Sequence, residues 1–480
     1  MVFNTHNKKN QLLIFSIIYS IIILSLIQNI KAIISCDYDD TVYNNAYIYV
    51  ENGIIKEINT MDKLNPSYTK SGTIIDATDC IVYPGLINTH HHLYQTMSRN
   101  LPQTQNMELF EWLEFLFEKW KNIDEDVVYY SALVGLGELL KTGCTTCMDQ
   151  NDSLPRKYSR TCVDKEFSAA EKLGIRLCFG RGSIDLGPED GNNVSPNLIQ
   201  TVDEIIADSE YAIKKYHDKN FNSMRNIVLA PCAPFCSSKE CYIRTAELAR
   251  RYKVRLNTHL AETLDEENWC KEKYNKRPLE LMKECNFVGK DVFFNHGIHF
   301  NQDEIKFLGE SRAGIAHCPT SNMKLSSGIM KMKEMRKFGV IIGLGVDGSA
   351  SNDGSNLLDE MRNCFLLHRL NESHDAPSGY DILKMATRGS ASLLGREELG
   401  CLRVGNPCDL FMIKCKGIEM VGCDHDFKNY LCTVGHKGNV FMTIVNGNVV
   451  FKDGKLTNIE NEEILAKKAR EIEEKYLSKK

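Results

Sequence analysis

The chain has 480 residues, 43% hydrophobic and 25% charged, with a formal net charge of −5. Those are the proportions of an ordinary globular protein, long enough for one large domain and a smaller companion. The mild acidity, with no basic stripe of interleaved aromatics, excludes a nucleic-acid partner.

The N-terminus departs from that description. Lys8 and Lys9 precede residues 12–27, which are apolar apart from Ser and Tyr, and no charge occurs from Asn10 to Ile30. The length is near the lower limit of a membrane span and also fits a signal segment. Cleavage beyond Ala32 would cut the first expected strand, residues 30–35, so an uncleaved anchor or a start codon placed too far upstream fits better. Membrane contact is expected only through residues 12–27. The 18 cysteines are scattered, most inside apolar runs such as those of Cys178, Cys318 and Cys408. Cys144 and Cys147 have no second pair to complete a metal knuckle. Reduced thiols and a cytoplasmic body follow.

Residues 30–83 read as β. Residues 44–50 alternate, Glu51-Asn52-Gly53 is a turn, and residues 54–58 follow as a strand. Helical patterns cover 109–121 and 126–141, the latter ending at Gly143, a fitting C-terminal cap. Short apolar runs recur at 81–88, 144–148, 176–180, 227–230, 254–260, 292–295, 314–316 and 340–346. Strand–helix alternation repeated eight times predicts a (β/α)8 TIM-type barrel. An open doubly wound sheet is the alternative, but its glycine fingerprint is absent. After Gly400 the pattern returns to β, with a strand at 409–413 and a hairpin of 439–445 and 449–452 about Asn446-Gly447. A charged amphipathic helix spans 460–480. The expected organisation begins with an apolar segment (1–29) and the first half of a small composite β-sandwich (30–83). The barrel (84–401), the second half of the sandwich (402–456) and a charged helix (457–480) follow.

Barrel chemistry sits at the C-terminal ends of the strands. The first run ends in His90-His91-His92, and two histidines two apart share a strand face. The fifth ends in His259-Leu260-Ala261-Glu262, the sixth in Asn295-His296 and the eighth in Gly345-Val346-Asp347-Gly348. Each could be a satisfied core histidine or a helix cap, but their common place at one rim points to a metal centre.

These stretches, with Pro84-Gly85-Leu86-Ile87-Asn88 and His317-Cys318-Pro319-Thr320-Ser321-Asn322-Met323, resemble the amidohydrolase superfamily. The similarity runs from about residue 30 to about 455, and within the superfamily it is to the group of 8-oxoguanine deaminase and hydroxydechloroatrazine ethylaminohydrolase. The resemblance implies one metal per chain, Zn²⁺ with Fe²⁺ as the alternative, held by His90, His92, His259 and Asp347. It implies Glu262 as general acid/base, His296 as an aid to the developing charge, and Asp347 as acceptor of the water's proton. The run at 227–230 leads into Pro231-Cys232-Ala233 with no Lys, which argues against the two-metal branch. Water and a small heterocycle are the implied partners, and similar proteins are often homo-oligomers.

For the substrate, Gln95 can donate and accept at once. Arg181 could bind an acidic oxo edge or form a surface ion pair, and Trp112 with Phe115 could stack on a ring or pack in the core. Hydrolytic deamination of an oxidised purine such as 8-oxoguanine is the first expectation. A hydroxy-s-triazine aminohydrolase, or a guanine- or S-adenosylhomocysteine-type deaminase, is the alternative. A non-catalytic scaffold is the remote one, because such scaffolds lose ligands and this chain keeps all four.

Overall fold

The computed structural model describes residues 24–70, 72–153, 155–192 and 194–479. Eight parallel strands form the barrel: β1 (Leu86–Asn88), β2 (Cys144–Asn151), β3 (Arg176–Ser183), β4 (Arg225–Pro231), β5 (Arg255–Leu260), β6 (Val292–His296), β7 (Gly314–His317) and β8 (Ile342–Leu344). They pair in sequence order from β1 to β8. The ring closes where Thr89 N donates to Leu344 O (3.0 Å) and Asp347 N to His90 O (3.0 Å). That closure sets the last strand's carboxylate beside the first strand's histidines, although more than 250 residues separate them in the chain.

The run at 81–88 is not one strand. Cys80–Pro84 belongs to the flanking sheet and Leu86–Asn88 to the barrel. Pro84 and Gly85 hand the chain across. Gly85 is required there, since a Cβ would lie 2.1 Å from Thr145 Oγ1. Alternation then sorts the barrel strands into two faces. Ile87, Met148, Cys178, Val228, Phe293 and Ala316 fill the interior with Leu393 and Leu394. Leu177, Phe179, Leu229 and Leu256 face the outer layer.

The segments before and after the barrel combine into one hydrogen-bonded sheet of nine strands. Cys80–Pro84 lies between Leu24–Ile34 and Leu410–Lys414, parallel to the former and antiparallel to the latter. The expected hairpin is present as Met442–Val445 and Asn448–Lys452, with Asn446 and Gly447 both at positive φ, the requirement of a tight primed turn. A buried fork joins sheet to barrel: Arg176 Nε donates to Asp409 Oδ2 (2.6 Å) and Nη2 to Oδ1 (2.9 Å).

The first described strand, Leu24–Ile34, already includes residues ahead of the expected start at residue 30. Leu24–Ile27 pair with Ile48–Glu51, and a bulge follows before Ile30. The apolar stretch therefore ends inside the sheet, because its last residues bury both faces of a strand. Residues 12–23 lie outside the described residues. Among the described residues, no helix is long and apolar enough to cross a membrane. All 18 cysteines are free thiols.

Candidate metal centre and active site

Four strand ends converge at one mouth. His90 and His92 follow β1, His259 is the penultimate residue of β5, His296 ends β6, and Asp347 follows β8. His296 and Asp347 sit in the left-handed backbone region, with φ of 70° and 64°. Few residues adopt it, though His and Asp tolerate it better than most. Held strain of this kind clusters at working sites. His91, between the two ring-facing histidines, turns away and bonds Ser355 Oγ (2.9 Å).

The ring tautomers follow from the partners. His92 Nδ1 is 2.6 Å from Gln150 O, and His259 Nδ1 is 2.7 Å from Cys232 O. A carbonyl only accepts, so both Nδ1 atoms carry protons and, in the neutral rings, both Nε2 atoms present lone pairs. Those two Nε2 atoms face each other at 3.2 Å. Neutral His259 is favoured, because burial pushes its pKa down to about 4. Two lone pairs at that distance repel unless a cation lies between them. His90 Nδ1 has no partner, and its Nε2 stands 3.2 Å from Asp347 Oδ1. His92 Nε2 is 3.5 Å from the same oxygen. Ligand nitrogens about 2.05 Å from a tetrahedral ion lie about 3.3 Å apart, so these spacings fit one shared centre.

The two acids beside this cluster are driven in opposite directions. Burial works to raise Asp347, but His90 beside it overrides this and keeps the carboxyl well below its usual range. Burial, reinforced by the charge of Asp347, pushes Glu262 well above the usual carboxylate range. Glu262 is thus the group with a proton to give. Its Oε2 is 3.6 Å from His296 Nε2, which is also 3.9 Å from Asp347 Oδ2. His296 donates Nδ1–H to Asn322 Oδ1 (2.8 Å), which aims Nε2 at both carboxylates. Beneath the site, Asn295 Nδ2 donates to Gln150 Oε1 (2.8 Å) and Asn257 Nδ2 to Asn295 Oδ1 (2.8 Å).

A cavity opens above these groups. Its walls include Gln95, Leu109, Trp112, Phe117, Trp120 and Phe235, with Glu262, Asp152 and Cys232 as polar members. Trp112 Nε1 is buried with no hydrogen-bond partner. Gln95 lines the same space and accepts from Ala350 N at Oε1 (3.3 Å). The larger cavity, about 1010 Å³, lies among the strand beginnings at the opposite mouth, lined by Asn226, Val254, Arg255 and Ile341. It carries none of the clustered histidines or of the acids beside them.

Arg181 is not brought to the site. Cys178 faces the barrel interior, so period-two alternation turns 177, 179 and 181 outward. The guanidinium bonds Gly182 O and Gln200 Oε1 (2.6 Å) beneath the helix Val202–Tyr216, and it lies 3.8 Å from Asp208. It is a buried brace, neither a substrate ligand nor a surface ion pair. Phe115 is half-buried and outside the cavity, where Phe117 and Trp120 stand instead. Asp152, Asn322 and the Gln150–Asn295–Asn257 amides were not among the expected site residues. Asn295 adjoins an expected histidine in sequence and Asn257 lies two residues before another, and that proximity is the one signal that pointed to them.

Known proteins resemble this chain in sequence and in fold. A model described as the amidohydrolase family matches residues 81–450. An 8-oxoguanine deaminase of Pseudomonas aeruginosa is 42% identical over 351 residues, 73% of this chain and 78% of that one. A hydroxydechloroatrazine ethylaminohydrolase of Pseudomonas sp. (strain ADP) is 34% identical over 442 residues, 90% and 92% of the two chains. The crystal structure of an atrazine chlorohydrolase from Arthrobacter aurescens TC1, complexed with zinc, matches with a TM-score of 0.88 at 28% identity, over 94% of this chain and 100% of that one.

Proposed function

The chain belongs to the amidohydrolase family, and on that premise we propose that it hydrolytically deaminates an amino-substituted nitrogen heterocycle, first of all an oxidised purine base such as 8-oxoguanine. The net change is ring N=C–NH₂ + H₂O → ring HN–C=O + NH₃. The observation that carries the reading is the pair of buried acids at the floor of an aromatic cavity, Asp347 against His90 and Glu262 against His296, whose surroundings drive them in opposite directions. A carbon flanked by ring nitrogens needs a proton delivered to the ring and another removed from water.

His90, His92, His259 and Asp347 would hold one divalent metal, zinc in the first instance, with Fe²⁺ as the alternative. Bound there, such an ion lowers the pKa of water and supplies a nucleophile at neutral pH. Protonated Glu262 gives its proton to the ring nitrogen next to the attacked carbon. Asp347, kept ionised, takes the proton released by the water. His296, oriented by Asn322, stands between the two carboxylates and steadies charge as it builds. The proton then passes to the departing nitrogen, which leaves as ammonia. Trp112 and Gln95 offer N–H donors to a ring carbonyl, and Phe117 and Trp120 exclude water from the ring faces. The chain between β4 and the following helix carries Cys232 and Ala233 with no Lys in that turn, which supports a single metal.

The test is ammonia release by metal-quantified protein from 8-oxoguanine, guanine, adenosine, S-adenosylhomocysteine, cytosine and an amino-hydroxytriazine. Release from 8-oxoguanine above the others is expected. Release from none, with one metal per chain, would sink the substrate class. Removal of an alkylamine from a hydroxy-s-triazine is the second reading, favoured by the relative that spans 90% of this chain. N-alkylated triazines in the same panel decide it.

A further inference from the structure

We propose that Asp152 determines specificity. Its carboxylate accepts a ring N–H beside the amine-bearing carbon and so selects rings in which that carbon lies between one ring N–H and one bare ring nitrogen. The inference rests on the deaminase reading above and deepens it. Asp152 follows the end of β2 and lines the cavity with His92, His259 and Glu262. It can stand so close because residue 182 on β3 is glycine, where a Cβ would lie 2.3 Å from Asp152 Cα.

The residue is 6% exposed, and a carboxyl so enclosed needs hydrogen-bond partners for both oxygens. Tyr94 OH supplies one, donating to Oδ1 at 2.7 Å. The other neighbour with a hydrogen to offer is the Cys232 thiol, a weak donor. His92 Nδ1 is 3.7 Å from Oδ1, but its proton is already given to Gln150 O at 2.6 Å. Asp152 is therefore not the residue that orients His92. A carboxylate with one strong donor, next to the metal cluster and open to the cavity, has room for an N–H from the ligand.

The rest of the wall completes the pattern. Glu262 is protonated and serves a bare ring nitrogen. Asp152 accepts and serves an N–H. Trp112 Nε1–H, buried without a partner in the same cavity, serves a carbonyl. An amino-lactam, as in oxopurines and pterins, shows these features along one edge: bare nitrogen, amine-bearing carbon, N–H, carbonyl. A 6-aminopurine shows a ring carbon where the N–H would be and leaves Asp152 unpaired.

The experiment compares wild type with Asp152→Ala and Asp152→Asn, each checked for folding and for metal content. The substrates are 8-oxoguanine and its 1-methyl derivative, in which the N–H beside the amine-bearing carbon is gone. In the wild type, methylation should lower kcat/KM by about 10- to 150-fold, the weight of one hydrogen bond to a charged group. In Asp152→Ala the same methylation should cost less than about 3-fold, with the metal retained. An equal methylation penalty in wild type and variants would overturn the proposal. A second arm measures calorimetric binding of xanthine, a lactam without the amine, expected to weaken by about 10-fold or more in Asp152→Ala. If the wild type deaminates nothing, the deaminase reading falls and the xanthine arm still judges Asp152. Equal affinity in both proteins, or no binding by either, overturns it.

Discussion

Replacing Glu262 by Gln separates acid catalysis from metal binding. Glutamine has nearly the same volume and keeps an N–H to offer, so the cavity shape and the ligand contacts persist. It has no proton to transfer. Burial and the charge of Asp347 hold Glu262 protonated, and the cavity wall has no other carboxyl except Asp152 and Asp347. Asp347 cannot substitute, since its histidines hold it well below the usual range, and Asp152 is engaged at Oδ1 by Tyr94 OH. General acid–base catalysis contributes about 10²- to 10⁴-fold, or roughly 3–5 kcal/mol. The variant should therefore lose at least about 100-fold in kcat while KM moves by less than about 3-fold. Its metal content should equal that of the wild type. Ammonia release under saturating substrate, with metal measured on the same sample, reads all three quantities. A variant with kcat within about 10-fold of wild type and a full metal complement would refute the assignment. Loss of the metal would instead make Glu262 a ligand.

His259→Ala removes one of two facing Nε2 atoms, and it should empty the metal site and abolish turnover; a variant that keeps one metal per chain would disprove the ligand set. Asp409→Ala leaves the buried guanidinium of Arg176 without its fork, and urea unfolding should show a loss of about 3–5 kcal/mol, most of it recovered in Arg176→Met/Asp409→Leu. A loss below about 1 kcal/mol would mean that the fork does not tie the sheet to the barrel. Burial pushes Glu360 up to about 8, from an ordinary 4.5. Between those values the folded chain keeps a proton that the unfolded chain has released. That share of stability is complete below pH 4.5 and lost as pH rises towards 8, by at most about 1.4 kcal/mol per unit. Urea midpoints between about pH 6 and about pH 8 should fall less steeply in Glu360→Gln than in wild type, and equal slopes would contradict the buried neutral form.

The barrel was legible because each strand is a short apolar run between helical patterns, and the rim because every expected ligand sits at a strand end. Both are local signals. The handover at Pro84-Gly85 was not, since an unbroken apolar run does not reveal that its halves pair with different sheets. The start of the first strand was obscured by the same property. Leu26 and Ile27 are apolar because both strand faces are buried, and buried strand and membrane segment share that composition.

The substrate wall was the least legible part, and Arg181 and Asp152 show why. Both lie at strand ends on the same rim, and by residue type the arginine looks the better ligand for an oxo group. What separates them is phase: Arg181 has the outward parity of Phe179 on β3, whereas Asp152, just past the end of β2, has the inward parity of Met148. The alternation that placed the histidines also excludes Arg181, once Cys178 fixes which face is inside. Alternation puts Asp152 on the inward side with Met148 and Gln150, but it does not say what the carboxyl is for. Its claim rests on what its neighbours lack, a second strong donor, and that shortage exists only once Tyr94, His92 and Gln150 have been placed around it. Metal sites are legible because their ligands come in types few other jobs require. A recognition wall uses ordinary residues, and only the unpaired atoms left after folding say which of them face a ligand.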